Sequence, residues 1–378
     1  MPFTKLGLSS PLTQNLIDSK YDKPYPIQQQ AIPAVIKGKD VLGIAQTGSG
    51  KTAAYVLPIL SILRPRKDDK NRDVDALILV PTRELAGQVE EVFKEYNFSL
   101  RTPLNINAVF GGVSINPQMK GLFGVNILIA TPGRLLELVR ANALSLSQVK
   151  HLVIDEADKM LNLGFKEEMD EIIKLLPKKR QNLLFSATLS EKVKEINQLV
   201  LTQPIVVKIK PQEENLDLIQ QEAYFISEEN KGPLLRYIIK EQNIQQVLIF
   251  TSSKFKADNV AAKLRKHNIQ ATAIHSKKSQ GARTSALRKF KEGSLRVLVA
   301  TDLLARGIDI AFLPFVINYE LPRSPKDFIH RIGRTGRAEN PGKAITFVNP
   351  EEEQHFKLIQ KKMGKTIEAI DGDRLELI

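Results

Sequence analysis

The sequence predicts two α/β domains, each a mostly parallel sheet flanked by helices, joined by a flexible linker. Three observations predict it. At 378 residues the chain is longer than one core usually organises. Along both halves, short continuous apolar runs alternate with helical patterns, as strands buried on both faces do when helices cross between them. The first such run, Val41 to Ile44, leads into a glycine-rich loop and then a helix, the order in which a strand feeds a phosphate site.

That loop, Ala45-Gln46-Thr47-Gly48-Ser49-Gly50-Lys51-Thr52, follows the pattern G-x-x-x-x-G-K-[ST] with Ala45 in place of the first glycine. Gly48 and Gly50 let the backbone curl so that successive N–H groups point at one anion. The helix expected over Thr52 to Leu63 adds the positive end of its dipole. Lys51 is then placed to reach the β- and γ-phosphates of a nucleotide, and the Thr52 hydroxyl to ligate magnesium.

Composition narrows the partners. Hydrophobic residues make up 42% and charged residues 26%, and no apolar run approaches the ~18 residues of a membrane span, so a membrane is not expected. The first residues, Met1-Pro2-Phe3-Thr4, lack the basic segment and apolar region of a secretory leader. There are no cysteines, hence no disulfide and no thiolate metal site, which fits a reducing interior, and we expect a cytoplasmic protein. Net charge is +13. There are 27 basic against 21 acidic residues before residue 210, and 28 against 21 from there on. A polyanion contacting both halves accounts for two basic halves, although basic proteins without one exist.

In the opening segment, prolines 24 and 26 fix an extended turn that aims Gln28 ahead of a helix expected from Gln29 to Lys37. A glutamine amide has the donor and acceptor needed for the N6/N7 edge of adenine. It is equally a residue that caps a helix start. Phe3 has two readings as well, a core residue or a ring stacked on a base.

Further strands are expected over Ala76 to Val80, Ile106 to Phe110, Asn126 to Ala130, His151 to Ile154 and Asn182 to Phe185. After them come Pro81 to Leu85, Gly111-Gly112, Thr131 to Arg134, Asp155 to Asp158, and Ser186 to Thr188. Each polar cluster stands where a strand ends, the edge at which open α/β sheets bind ligands. Any one of them alone is also an ordinary helix N-cap. In the second half, Glu222 to Ile226, Gln246 to Phe250, Gln270 to Ile274, Arg296 to Ala300, Phe315 to Tyr319 and Ala344 to Val348 read as strands. Helical patterns start at Lys231, Lys254, Gly281 and Ser324, and no phosphate loop recurs. Domains are therefore expected at 1–207 and 219–378. The polar, proline-containing stretch 208–218 links them.

Asp155 follows its strand where P-loop enzymes place a magnesium-holding acid, with water between acid and ion. Glu156 can orient or deprotonate the attacking water, and Asp158 is suited to bridge toward another motif. In His330-Arg331-Ile332-Gly333-Arg334-Thr335-Gly336-Arg337, arginines recur at every third position. Alone this is a solvated or RNA-contacting face. With a phosphate loop in the other domain it becomes a source of arginine fingers, in an ATP site completed only when the two domains close. Asp309 either accepts from ribose hydroxyls or caps a turn.

Phe3, Lys23 to Gln28, Ala45 to Thr52, Pro81 to Leu85, Gly111-Gly112, Thr131 to Arg134, Asp155 to Asp158 and Ser186 to Thr188 belong to one ordered set. It continues with Ile249 to Ser252, Gln280 to Arg283, Ala300 to Asp309 and His330 to Arg337. Together they resemble the DEAD-box RNA helicase family over nearly the whole chain, and the run His275 to Arg283 resembles its bacterial RhlE-like subgroup. The resemblance implies two RecA-like domains and an RNA-stimulated ATPase that unwinds short duplexes locally, with ATP and Mg2+ as cofactors. Phe3 would stack on adenine while Lys23 and Gln28 read its edge, and Thr47 to Thr52 would cradle the phosphates. Asp309 would meet the ribose and Arg334 and Arg337 the phosphates, with Gly307 also in the nucleotide site. Arg83, Gly112, Thr131, Arg134, Arg283 and Thr301 would hold the RNA backbone without reading sequence. Asp158, Ser186, Thr188 and His330 would couple the domains.

Lys20, Tyr25 and Leu303-Leu304 depart from the family's usual smaller residues, which puts nucleotide affinity and motif packing in question. Single-stranded and short duplex RNA are the expected partners, with proteins of RNA-protein particles or RNA decay, and a monomer is the default. The chain ends at Ile378 without a basic or low-complexity tail, so we expect that a natural extension was removed. An ATP-gated RNA clamp or remodelling platform, and a DNA translocase of the same superfamily, are the rival readings.

Overall fold

The computed structural model describes residues 1–19, 21, 23–46, 48–65, 72–209, 219–302, 313–336 and 342–375. The chain forms two compact units, Met1–Pro211 and Gln212–Ile378. Each is one sheet of seven strands, all paired in parallel and flanked by helices.

In the first unit the strands are β1 Val41–Ile44, β2 Ala76–Leu79, β3 Ile106–Val109, β4 Ile127–Ala130, β5 His151–Ile154, β6 Gln181–Ser186 and β7 Ile205–Lys208. Their order across the sheet is β3-β4-β2-β5-β6-β1-β7. Continuous apolar runs suit this position because a strand's side chains alternate between faces and both faces are covered. Leu77 and Leu79 join a core with Leu128, Leu152 and Leu184, whereas Ala76, Ile78 and Val80 join another with Ile127, Val153 and Phe185.

In the second unit, β8 Ile219–Phe225, β9 Val247–Thr251, β10 Ala271–Ile274, β11 Val297–Thr301, β12 Phe315–Asn318, β13 Gly342–Val348 and β14 Ala369–Asp371 take the order β10-β11-β9-β12-β13-β8-β14. Both sheets therefore place the third strand of their own unit at one edge and the seventh at the other.

Many of the polar residues after strands start helices. Thr82 Oγ1 accepts from Leu85 N (3.3 Å), Ser253 Oγ from Lys256 N (3.2 Å), Ser279 Oγ from Ala282 N (3.3 Å) and Ser324 Oγ from Asp327 N (3.2 Å). Capping and ligand binding are compatible uses of this edge, since a capped helix start presents its remaining N–H groups there. Two strands were not anticipated, β7 and β14. Lys208, read as the first linker residue, closes β7, and Ile209 N still donates to Ile44 O (2.9 Å).

Candidate nucleotide site and nucleic-acid interface

The edge of the first sheet where the strands end is divided by strand order. On β1, β6 and β5 stand the phosphate loop, Ser186 to Thr188 and Asp155 to Asp158. On β2, β4 and β3 stand Arg83, Thr131 with Arg134, and Gly112. The pairing Ile44↔Ser186 brings the first two clusters level, and Ala45 N donates to Ser186 O (3.0 Å).

In the phosphate loop Gly48 and Gly50 have φ of +82° and +84°, a region in which any side chain is strained. Gly50 is the N-cap of the helix Lys51–Ile62. Its α-carbon is also crowded: a Cβ there would lie 2.5 Å from Gln28 Nε2 and 2.9 Å from Tyr25 Cδ2. Lys51 is 7% exposed, and its ammonium donates back into the loop, to Ala45 O (2.5 Å) and Gln46 O (2.9 Å). Burial lowers its pKa, an effect opposed mainly by the negative charge of Asp155. Thr47 lies outside the described residues.

Tyr55, one turn after Lys51, was not singled out from the sequence. Buried among Phe93 and Phe185, it donates its hydroxyl to Asp155 Oδ2 (2.8 Å) and also meets Thr52, so one phenol joins both residues expected on the metal side. Its aromatic ring fitted the apolar pattern of a buried helix, which concealed the polar tip. The other Asp155 oxygen accepts from Glu156 N (2.8 Å), and burial raises the Asp155 pKa against the pull of Lys51.

Glu156 occupies the left-handed region at φ +54°, unusual for a residue with a side chain. Lys159 Nζ donates to its Oε1 (2.7 Å), while Oε2 is buried and has no hydrogen-bond partner among the described residues. Burial raises its pKa too, with Lys159 opposing. A carboxylate held in rare backbone geometry with one oxygen uncommitted is a group positioned for another molecule. Asp158 Oδ2 accepts from Thr188 Oγ1 (3.0 Å), and Ser186 Oγ donates to Thr188 O (2.8 Å), which joins the segments after β5 and β6.

Gln28 takes up its capping role. Its Oε1 accepts from Tyr25 N (2.9 Å), capping the helix Pro26–Ile36, and its Nε2 donates to Gly50 O (3.0 Å) and to Tyr21 Oη (2.9 Å). Phe3 is 3% exposed and packs with Leu6, Leu16, Ile32 and Leu57, its ring 5.2 Å from that of Tyr21. Lys23 is exposed.

On the other half of the edge, the Arg83 guanidinium fills the space beside Gly112, which has φ +78°. Arg134 is 6% exposed; its Nη2 donates to Val113 O (2.8 Å) and its Nε to Glu137 Oε2 (2.8 Å). Two arginines from neighbouring strand ends thus hold the Gly111 to Val113 loop, with Thr131 buried beside Arg134.

In the second unit Thr301 ends β11, and Arg283 lies buried in the helix Gln280–Lys291 that follows β10. The three arginines differ. Arg331 is 2% exposed and binds both oxygens of Asp302 (2.5 and 2.8 Å), Asn318 Oδ1 (3.2 Å) and Glu320 O (2.6 Å). Arg334 is partly exposed and His330 exposed. Gly307, Asp309 and Arg337 lie outside the described residues.

Residues 25–196 match the model of the DEAD/DEAH box helicase family, and residues 230–339 that of the helicase conserved C-terminal domain. The ATP-dependent RNA helicase CshA of Listeria monocytogenes is 38% identical over 98% of this chain and 70% of its own length. That of Limosilactobacillus reuteri is 40% identical over 96% and 72%. Among solved structures, S. cerevisiae Dbp5 bound to RNA and ADP BeF3 superposes with a TM-score of 0.82 at 31% identity, covering 98% of this chain and 96% of that one. A DEAD box protein from the hyperthermophile Methanococcus jannaschii gives 0.54 at 34% identity, covering 98% and 99%. With the phosphate loop, the Asp155 to Asp158 cluster and both matched models in a single chain of two parallel sheets, the protein belongs to the family of DEAD-box ATP-dependent RNA helicases.

Proposed function

We propose that the chain binds single-stranded RNA and ATP, separates short RNA duplexes locally, and hydrolyses ATP to release the strand. The observation that carries this reading is the division of one sheet edge. The residues expected to meet the nucleotide follow β1, β5 and β6, and those expected to meet the RNA backbone follow β2, β3 and β4.

The residues present fit a magnesium nucleotide. Two glycines at positive φ curl the loop, Glu156 Oε2 is buried without a partner among the described residues, and Asp155 is anchored through Tyr55. A Mg2+ takes much of its shell from phosphate and water, so it needs few ligands from the protein. Thr52 and Asp155 would hold that ion, which supplies positive charge at the phosphates.

Lys51 turns from the carbonyls of Ala45 and Gln46 toward the β- and γ-phosphates, trading two neutral acceptors for charged ones. Glu156 Oε2 orients the attacking water and takes its proton, a role that its raised pKa favours near neutral pH. Gln28, released from Gly50 or Tyr21, reads adenine. Arg334 and Arg337 stabilise the transferring phosphoryl group from the second unit, so turnover needs both units. Binding of RNA and of ATP raise each other's affinity by one factor, since both favour the same state. No helix among the described residues is long and apolar enough to cross a membrane. We place the protein in the cytoplasm as a monomer that meets proteins of RNA-protein particles or RNA decay.

Steady-state ATPase with RNA, with DNA of equal length and without either tests the reading. Strong stimulation by RNA alone is expected. Full turnover by residues 1–211 on their own, indifferent to RNA, would overturn it.

A further inference from the structure

We infer that Phe255 is a stacking platform for an RNA base on the second unit, a subsite that rests on the RNA reading above. Phe255 is the second residue of the helix Lys254–Lys266, which starts just past the end of β9, and it is 78% exposed. Phe250 and Phe290, in the same unit, are buried. A benzyl ring left in water contributes nothing to the core, so its place must be judged from what surrounds it.

Three carboxylates near it are all committed. Glu320 accepts from Ser252 N and Oγ (2.7 Å each) and from Lys256 Nζ (2.7 Å), and Glu228 pairs with Lys231 (2.9 Å) and Lys256. Asp258, one turn after Phe255 on the same helix face, pairs with His275 (2.9 Å) and Lys278 (2.7 Å) of the segment after β10. Lys254 and Lys277 are exposed and have no ion pair among the described residues. The local field is therefore positive, and the ring stands inside it.

Asp258 also fixes the location of that ring. It ties the Phe255 helix to the segment that runs into Arg283, and β11, between β10 and β9 in the sheet, ends at Thr301. Both residues are expected to hold RNA backbone. A cationic track with an aromatic face beside it is how single strands are bound without regard to sequence, because every base offers a π-face.

The chain has no tryptophan, so Phe255→Trp introduces a single indole reporter. The full chain, with a non-hydrolysable ATP analogue, is titrated with an oligouridylate and with an abasic ribose-phosphate oligomer of equal length. Phe255→Ala should weaken oligouridylate binding roughly five- to a hundredfold and leave abasic binding unchanged. Phe255→Trp should bind as the parent does, its emission quenched by oligouridylate and not by the abasic oligomer. Equal losses on both oligomers, no loss on either, or equal quenching by both would refute the subsite. A parent chain that binds neither oligomer would instead refute the RNA reading, and that is seen before any variant is made.

Discussion

Replacing Arg331 with lysine separates a structural arginine from Arg334 and Arg337, which are proposed to act on the phosphates. The guanidinium is 2% exposed, grips Asp302 through two bonds, reaches Asn318 and the Glu320 carbonyl, and stacks 5.0 Å over the Phe250 ring. A lysine keeps the charge but not the planar fork, so it can hold one side of this set and not both. Losing two charge-assisted bonds at roughly 1.5–2 kcal/mol each costs about 3–4 kcal/mol, within the range for disrupting a buried pair. For a unit of this size that is a Tm lower by about 6–15 °C, or a large part of a total stability of about 5–15 kcal/mol. Urea unfolding of the full chain, followed through the second unit's transition, measures the loss. ATPase measured well below the lowered Tm should recover most of its RNA stimulation. Asp302→Ala added to Arg331→Lys should cost little more, since the two side chains form one unit. Stability unchanged within ~0.5 kcal/mol together with abolished turnover would place Arg331 in the chemistry and refute the assignment.

Glu156→Gln should retain ATP and RNA binding while kcat falls by orders of magnitude, and unchanged turnover removes Glu156 from the mechanism. Because burial raises the Glu156 pKa and Lys159 lowers it, activity that needs the carboxylate is lost as pH falls through a value above the ordinary glutamate range. Lys159→Met should move that acid limb of kcat to higher pH, whereas a downward move contradicts the base assignment. Gly50→Ala combines φ +84° with a Cβ 2.5 Å from Gln28 Nε2, so nucleotide affinity, read with a fluorescent ATP analogue, should fall at least tenfold, with Tyr25→Ala restoring part of it. Thr188→Val removes the donor to Asp158 and should reduce duplex separation more than RNA-stimulated ATPase; equal reductions argue against a coupling role.

Which features could be read from the sequence depended on whether a single physical cause set the local pattern. The strand feeding the phosphate loop was legible because burial on both faces demands a continuous apolar run, and Val41 to Ile44 is one. The edge strand β7 obeys no such rule: Ile205, Val206 and Lys208 are exposed, and only Val207 is buried. Three-residue β14 is too short to carry any period. At Arg331 and Arg334 the spacing is regular and the side chains identical, so only the partners Asp302, Asn318 and Glu320, supplied by β12 and the end of β11, distinguish them. Gln28 offered two uses, cap and ligand, because an amide has two ends; its oxygen caps the helix Pro26–Ile36, and its nitrogen donates to Gly50 and Tyr21.

The order of strands gives a physical reason to expect communication between nucleotide and RNA. In the first unit β5 lies between β2, which leads to Arg83, and β6, which leads to Ser186. The Asp155 to Asp158 cluster follows β5, and so it stands where the two halves of the edge meet. Asp155 and Glu156 belong to the nucleotide half through Tyr55 and Lys51, while Asp158 takes the hydroxyl of Thr188. A change at Glu156 would be passed to Asp158 through one short helix, Ala157–Asn162, whose first residue is fully buried and whose N-cap is Glu156 itself. Since packed interiors shift between discrete arrangements and do not deform smoothly, a helix start held in left-handed geometry can favour one arrangement with nucleotide and another without. The carboxylate proposed to activate water is thus also the residue that sets the direction of the helix carrying Asp158, and hydrolysis and coupling need not be separate devices.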